Sequence, residues 1–345
     1  MESEVPAKPD SGPRKKKKSA SNGTLPALAI TGASGFLGSL VLSRLRGEER
    51  FEKIVVLDLE KPSLPIRKTK FYKVDLTDPA CDARLAEIFQ KEGVRQVLHL
   101  SFFGSPRRDA GYAHEVEVIG TLHLLHACAQ HKVEKLATVT STLAYGARPD
   151  NPNFLTEESP LRASKRFSHL QNKVEAEGLI ASFAEKHPET HVTVLRRCMT
   201  LGPKTDTYIT RFFSRPVVPM ILGYDPLLQF VHEDDVLDAL SRVIQSNTPA
   251  GVYNIVGEGL LPLSTLLRIG GKWRVGQPGF VLNSVVGALW LAGAGEIPPE
   301  FLDYLRYLCI ADGEKAREKL DYRPRHSTKD TWLSFTGEAR VRSLR

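Results

Sequence analysis

Cysteine is scarce in this chain and shows no pairing pattern. Cys81, Cys128, Cys198 and Cys309 stand far apart among 345 residues. That excludes a disulfide framework and a cysteine-based zinc site, and it points to a reducing, cytoplasmic compartment. Metal-ligand spacing is missing elsewhere too. His123 and His126 share one face of a predicted helix, but no third ligand lies near them, so no metal is expected. Long apolar runs are also absent. The stretch PGFVLNSVVGALWLAGAG, from Pro278 to Gly295, carries no charge, yet it is short for a span and is interrupted by Asn283, Ser284 and several glycines. That leaves a buried or substrate-covering helix, or a helix lying on a membrane surface. No repeat at solenoid periods is visible.

Residues 1–24, MESEVPAKPDSGPRKKKKSASNGT, lack any hydrophobic region after their basic cluster, so they do not read as a secretory signal. Rich in Pro, Ser, Gly and Lys, they are expected to be a disordered basic tail. The tail holds six basic side chains against Glu2, Glu4 and Asp10, which accounts for much of the formal charge of +7. Lys15–Lys18 offer plain electrostatic attraction to anionic lipid; no specific nucleic-acid site is expected. The composition of the whole chain, 41% hydrophobic and 25% charged, is that of a soluble globular protein.

What is present is a regular alternation. LPALAI (25–30), KIVVLDL, FYKVDL, VRQVLHLSF, VEKLATVTS and HVTVLRR (191–197) read as buried strands. Amphipathic stretches such as SLVLSRLRGEE and ARLAEIFQKEG fall between them. Strands alternating with helices predict right-handed βαβ units and a doubly wound parallel sheet, an α/β fold of the Rossmann type. Beyond residue 200, prolines and glycines punctuate shorter elements. The expected organisation is a dinucleotide-binding domain over 25–200, a smaller substrate lobe over 201–335 interleaved with the last strands, and a basic C-terminal tail over 336–345.

The first strand runs into Thr31-Gly32-Ala33-Ser34-Gly35-Phe36-Leu37-Gly38, and a helix follows. Glycines at these spacings permit a tight turn and close backbone approach, and the helix start offers free N–H groups to a pyrophosphate. Asp58 closes the second strand, placed to accept hydrogen bonds from both ribose hydroxyls. A carboxylate there repels a 2′-phosphate, so NAD is expected in preference to NADP.

With these pieces in order, the chain resembles the extended short-chain dehydrogenase/reductase family of NAD-dependent epimerases and dehydratases. The likeness spans roughly residues 27 to 335. It is carried by TGASGFLG, VDLTD around Asp75, VLHL, GTLHLL (120–125), TSTLAYG (140–146), VTVLRRCMTLGP, QFVHEDDV, GVYNIVGEG and EKAREKLDYRP. The runs LGYDPLLQFVHEDDVLDAL and GVYNIVGEG look most like a bacterial branch of UDP-glucose 4-epimerase-like proteins. The resemblance implies that Asp75 and Leu76 hold the adenine ring and that Ser141 bonds the reacting oxygen. It implies that Lys173 holds the nicotinamide ribose and lowers the pKa of a catalytic tyrosine, and that Glu177 is structural. It also implies a homodimer formed through helices near 112–130 and 167–186. The substrate it suggests is a nucleotide sugar or, given the uncharged 278–295 segment, a bulky lipid-like alcohol.

The sequence departs from that pattern at several points. The tyrosine position is His169, and no tyrosine lies between Tyr145 and Tyr208 to replace it. Glu117 stands for the usual helix asparagine, Met199 for a second asparagine, and Phe102 for a small residue against the cofactor. A phenol near pKa 10 beside an ammonium suits proton exchange with an alkoxide, whereas Lys173 pushes a neighbouring imidazole toward neutrality. His169 is therefore a bystander, a substitute base, or a residue turned away while Tyr145 or Glu117 acts. Two functions follow from these residues. One is an NAD-dependent epimerase/dehydratase-like oxidoreductase with weakened catalysis. The other is a catalytically degenerate NAD-binding protein acting as a sensor or interaction partner.

Overall fold

A computed structural model of the protein describes residues 25–62, 67–245 and 248–343. The lysine-rich tail, with the expectation placed on Lys15–Lys18, lies outside the described residues. Seven strands form one sheet: β1 (Ala27–Thr31), β2 (Ile54–Asp58), β3 (Thr69–Lys73), β4 (Val94–His99), β5 (Lys135–Ser141), β6 (His191–Arg197) and a last strand, Gly251–Ile255. All pairings within it are parallel, in the order 251–255, β6, β5, β4, β1, β2, β3. The expected doubly wound α/β fold is the one observed.

A sheet covered on both faces needs strands that are apolar on both sides. Every residue of β1 is buried, and its side chains divide alternately between two cores. Leu28 and Ile30 pack with Val41, Leu42, Val236 and Leu240, contributed by α1 (Phe36–Arg44) and the helix Glu233–Gln245. Ala27 and Ala29 face Leu85, Phe89, Leu124, Cys128 and Phe183 on the opposite side. These come from α2 (Cys81–Glu92), α4 (Gly120–His131) and α5 (Ser168–Lys186); a short α3 (Ala110–His114) precedes α4. A third core builds the C-terminal lobe around Trp332, which stacks on Phe230 at 5.8 Å between centroids and meets Phe213 edge-on at 5.5 Å. The helix Thr328–Ser343 carries Trp332 and runs straight through the boundary expected at 335, so the predicted C-terminal tail is largely helical.

Two buried ionisable groups link this fold to pH. His99 bonds Thr31 Oγ1 through Nδ1 (2.7 Å) and Thr121 Oγ1 through Nε2 (2.9 Å). Burial pushes its pKa down to about 3. Burial acts to raise the pKa of Glu92, but hydrogen bonds from Lys70, Tyr72 and Lys53 outweigh it and hold the value at about 2. Both groups take up protons more readily unfolded than folded, so each contributes stability above its ordinary pKa that is lost on acidification. For His99 the loss runs from pH 6.5 down toward 3. The melting temperature is expected to fall steadily below pH 6.5, and His99→Gln to make the upper part of that decline shallower in a calorimetric pH series. An unchanged slope in the variant would remove His99 from the explanation.

Candidate cofactor and substrate site

The sheet order reverses between β1 and β4, and the carboxyl ends of the strands there form the usual binding crevice of such folds. A cleft of about 180 Å³ opens at this point, lined by Gly32, Ser34, Gly35, Asp58, Asp75 and Leu76, with Phe102 and Phe103 among its other lining residues. Gly32 has φ +65°, and a Cβ there would lie 2.6 Å from the Leu100 carbonyl. A Cβ on Gly38 would lie 2.3 Å from the Gly32 carbonyl oxygen. Only glycine allows the turn to close against β4 and α1 to start beneath it. Asp58 is held at the rim: one carboxylate oxygen accepts bonds from Ser34 N and Ser34 Oγ, both at 2.8 Å, and the other from Leu59 N at 2.8 Å.

The remaining residues expected at the cofactor are distributed more widely. Asp75 is exposed at the cleft and orders its own loop by accepting from Thr77 N and Oγ1 at 2.9 and 2.8 Å. Thr31 is fully buried with its hydroxyl on His99, and Gly38 is buried beneath the turn; neither is among the residues lining the cleft. Phe36 and Leu37 are partly buried in the first turn of α1. His123 bonds the Leu76 carbonyl at 3.1 Å, and His126 lies 3.8 Å from Asp82.

The lysine of the opposite wall is enclosed. Between α3 and α4 the chain widens into a single π-helical turn, Glu115–Ile119, which carries Glu117, a wholly buried side chain. Its carboxylate accepts from Lys173 Nζ (3.0 Å), Asn172 Nδ2 (2.8 Å) and Phe103 N (2.7 Å). The Lys173 ammonium also approaches the carbonyls of His169 (3.2 Å) and Phe103 (3.4 Å) and the His169 Nδ1 (3.5 Å). The Phe102 ring lies 5.7 Å from it. A buried cation is tolerable only when paired and hydrogen-bonded, and Glu117 supplies that pairing. Burial lowers the Lys173 pKa, Glu117 opposes the shift, and Arg197 adds to it.

His169 is buried against Tyr208, edge-on at 5.5 Å. Burial, then Lys173 and Arg197, push its pKa well below the ordinary value, so the imidazole is neutral and its Nδ1 faces an ammonium as acceptor. Ser141 ends β5 with its Oγ accepting from Leu143 N at 3.2 Å. Tyr145 is not available as a replacement acid. It is fully buried, donates to Asn254 Oδ1 at 2.8 Å and accepts from Arg196 at 2.9 Å. Burial, opposed by Arg196, raises its pKa to about 12. Glu177 pairs with Arg196 at 2.7 Å in the same buried network.

Sequence reasoning passed over Arg197. It lies beside Ser141 in the sheet register and bonds Thr200 Oγ1 at 2.7 Å. The doubled arginine of VLRRCM was the available signal, since one of the pair had to leave the structural role that Arg196 fills.

The fold and cleft define a dinucleotide-binding scaffold of the Rossmann type, and comparison with known proteins makes that specific. The model of the NAD dependent epimerase/dehydratase family matches residues 28–256, and the chain belongs to that family, with NAD as its cofactor. An uncharacterized protein of Mycobacterium tuberculosis is 28% identical over 313 residues, covering 89% of this chain and 82% of the relative. The UDP-glucose 4-epimerase of Dictyostelium discoideum is 24% identical over 337 residues, covering 88% and 92%. Among solved structures, the UDP-glucose 4-epimerase of Thermotoga maritima with UDP-glucose superposes with a TM-score of 0.70 at 22% identity, over 92% of this chain and all of that one.

Proposed function

We propose that the protein is an NAD-dependent oxidoreductase of this family, acting on a nucleotide sugar or a bulky lipid-like alcohol, with a strongly attenuated redox step. One observation supports the reading: a cleft lined by the glycine turn and Asp58 is combined with a neutral, buried His169 in the place of a proton-exchanging phenol. NAD, when bound, supplies hydride acceptance and return. Gly32 and Gly35 admit its pyrophosphate, Asp58 accepts from its adenosine ribose, and Asp75 with Leu76 borders the adenine. Ser141 bonds the substrate oxygen. His169 can take a proton from an alcohol only by becoming an imidazolium beside Lys173 and Arg197, which both cations oppose.

Losing a positioned acid–base group costs about 10²–10⁴-fold in rate. His169→Tyr is therefore expected to raise turnover by about that factor, read for UDP-glucose as conversion of the sugar nucleotide to product and for a long-chain secondary alcohol as NADH formation. A second reading is favoured by the enclosure of Lys173. If its ammonium stays committed to Glu117, the protein binds NAD without turnover and serves as a sensor or interaction partner. In that case His169→Tyr leaves activity flat while calorimetric NAD affinity is retained. Absence of NAD binding would defeat both readings.

A homodimer through the 112–130 and 167–186 helices is part of the proposal; within one chain the two segments lie side by side, with His114 Nε2 3.2 Å from Glu175. A reducing cytoplasm fits the four free thiols.

A further inference from the structure

Apolar side chains left in solvent are concentrated in one part of the molecule. Of the thirteen large hydrophobics that are prominently exposed among the described residues, eight belong to two consecutive pieces of the C-terminal lobe. Val217, Leu222, Trp273 and Val275 come from the parallel ribbon of Val217–Ile221 with Trp273–Gln277 and the turn after it. Phe280, Val285, Leu289 and Leu291 come from the helix Gly279–Leu291 that follows the ribbon directly.

The helix is anchored by a narrow inner edge. Leu282 and Val286, one turn apart, are its buried residues, and they join the lobe core with Val218, Met220 and Phe301. The row Phe280–Ser284–Ala288–Leu291 lies opposite that edge and the row Val285–Leu289–Ala292 flanks it, and all seven residues are exposed. Phe280 is 76% exposed and Leu291 87%. A surface helix of a soluble protein puts charge on its outer face; this one has none. Among the described residues no helix is long and apolar enough to cross a membrane, and thirteen residues rise only about 20 Å.

Charge lies at the margins. Arg215, Arg268 and Arg274 are exposed near the ribbon, and Lys272 bonds the carbonyls of Ser214 and Arg215 at its foot. Arg108 reaches the Gly293 carbonyl at the far end of the helix. The nearby acids are engaged: Glu296 is bracketed by Arg211 (3.7 Å) and Arg215 (3.9 Å), and Asp225 accepts from Ser264 N and Oγ at 2.8 and 2.6 Å. An apolar face with a basic margin is complementary to a surface that is greasy inside and anionic at its rim. It is poorly suited to a second copy of itself, since a two-fold contact would set these cations near their own equivalents.

We propose that the Gly279–Leu291 helix and the adjoining ribbon form a monotopic membrane-docking surface that lies in the interface of an anionic bilayer. The helix inserts Phe280, Val285, Leu289 and Leu291 among the acyl chains, Trp273 sits at headgroup level, and the flanking arginines contact lipid phosphates. This does not depend on the protein's redox activity.

The test is flotation of the full chain with vesicles of pure phosphatidylcholine and of phosphatidylcholine with phosphatidylglycerol in equal parts. Wild type is expected to float with the anionic vesicles and weakly with the neutral ones. The double variant Phe280→Asp, Leu291→Asp is expected to lose at least about a hundredfold in partitioning, since each buried side chain contributes about tenfold or more. Both positions are exposed, so its melting temperature should stay that of wild type. Replacing Lys15–Lys18 by glutamine controls for the tail and is expected to reduce flotation only modestly. Three results would each overturn the proposal. They are no flotation of wild type, undiminished flotation of the aspartate variant, and flotation abolished by the tail variant alone. Light scattering that shows a wild-type dimer split by the aspartate pair, with no vesicle binding, would assign the face to a second copy instead.

Discussion

Glu117→Ala is expected to lower the unfolding free energy by about 3–5 kcal/mol, the range found when one partner of a buried ion pair is removed. The size follows from what is stranded. Without the carboxylate, the Lys173 ammonium keeps only two carbonyls and an imidazole nitrogen, while Asn172 Nδ2 and the Phe103 amide each lose their acceptor on Glu117. The cost comes from the uncompensated charge more than from lost attraction, and a second variant separates the two. Glu117→Leu combined with Lys173→Met removes both charges, and it should recover most of the loss. Urea unfolding of the three proteins decides the matter. If the single variant costs no more than about 0.5 kcal/mol, as surface substitutions do, the pair is not the keystone of this wall.

The second large effect falls on the cofactor. Asp58→Ala is expected to weaken NAD binding by roughly 10- to 100-fold, equivalent to about 1.5–3 kcal/mol for hydrogen bonds made to a charged group. The same carboxylate holds Ser34 N and Oγ and so helps to shape the glycine turn. Its loss should also narrow the preference for NAD over NADP, because no negative charge at the strand end then opposes the 2′-phosphate. Calorimetric titration with both nucleotides measures the two effects together. Equal NAD affinity in variant and wild type would place the ribose contact elsewhere.

Much of this arrangement is legible in the sequence. The strands are continuous apolar runs because their sheet is covered on both faces, and such runs are hard to mistake for anything else. The glycine turn and Asp58 were legible because each answers to a local backbone requirement. The Glu117–Lys173 contact was not. Its residues lie 56 apart, and a π-helical turn rotates Glu117 inward in a way that a period of 3.6 does not foresee. Tyr145 carried no sign of its confinement either, since Asn254 and Arg196 reach it from strands remote in sequence. Thr31 reads equally well as a cofactor contact or as the partner of a buried histidine, and only packing distinguishes the two. The outward face of the 279–291 helix was half visible. Its lack of charge was plain, but whether the greasy side faced the core could be decided only by tertiary contacts.

The carboxylate of Glu117 joins the loop after β4, the π-helical turn and α5, three segments that would otherwise fluctuate independently. A wall stapled in this way has already lost its conformational freedom before any ligand arrives. Nucleotide affinity here is therefore set less by the number of contacts than by how little remains to be ordered. The same rigidity makes the cleft a pre-organised receptor.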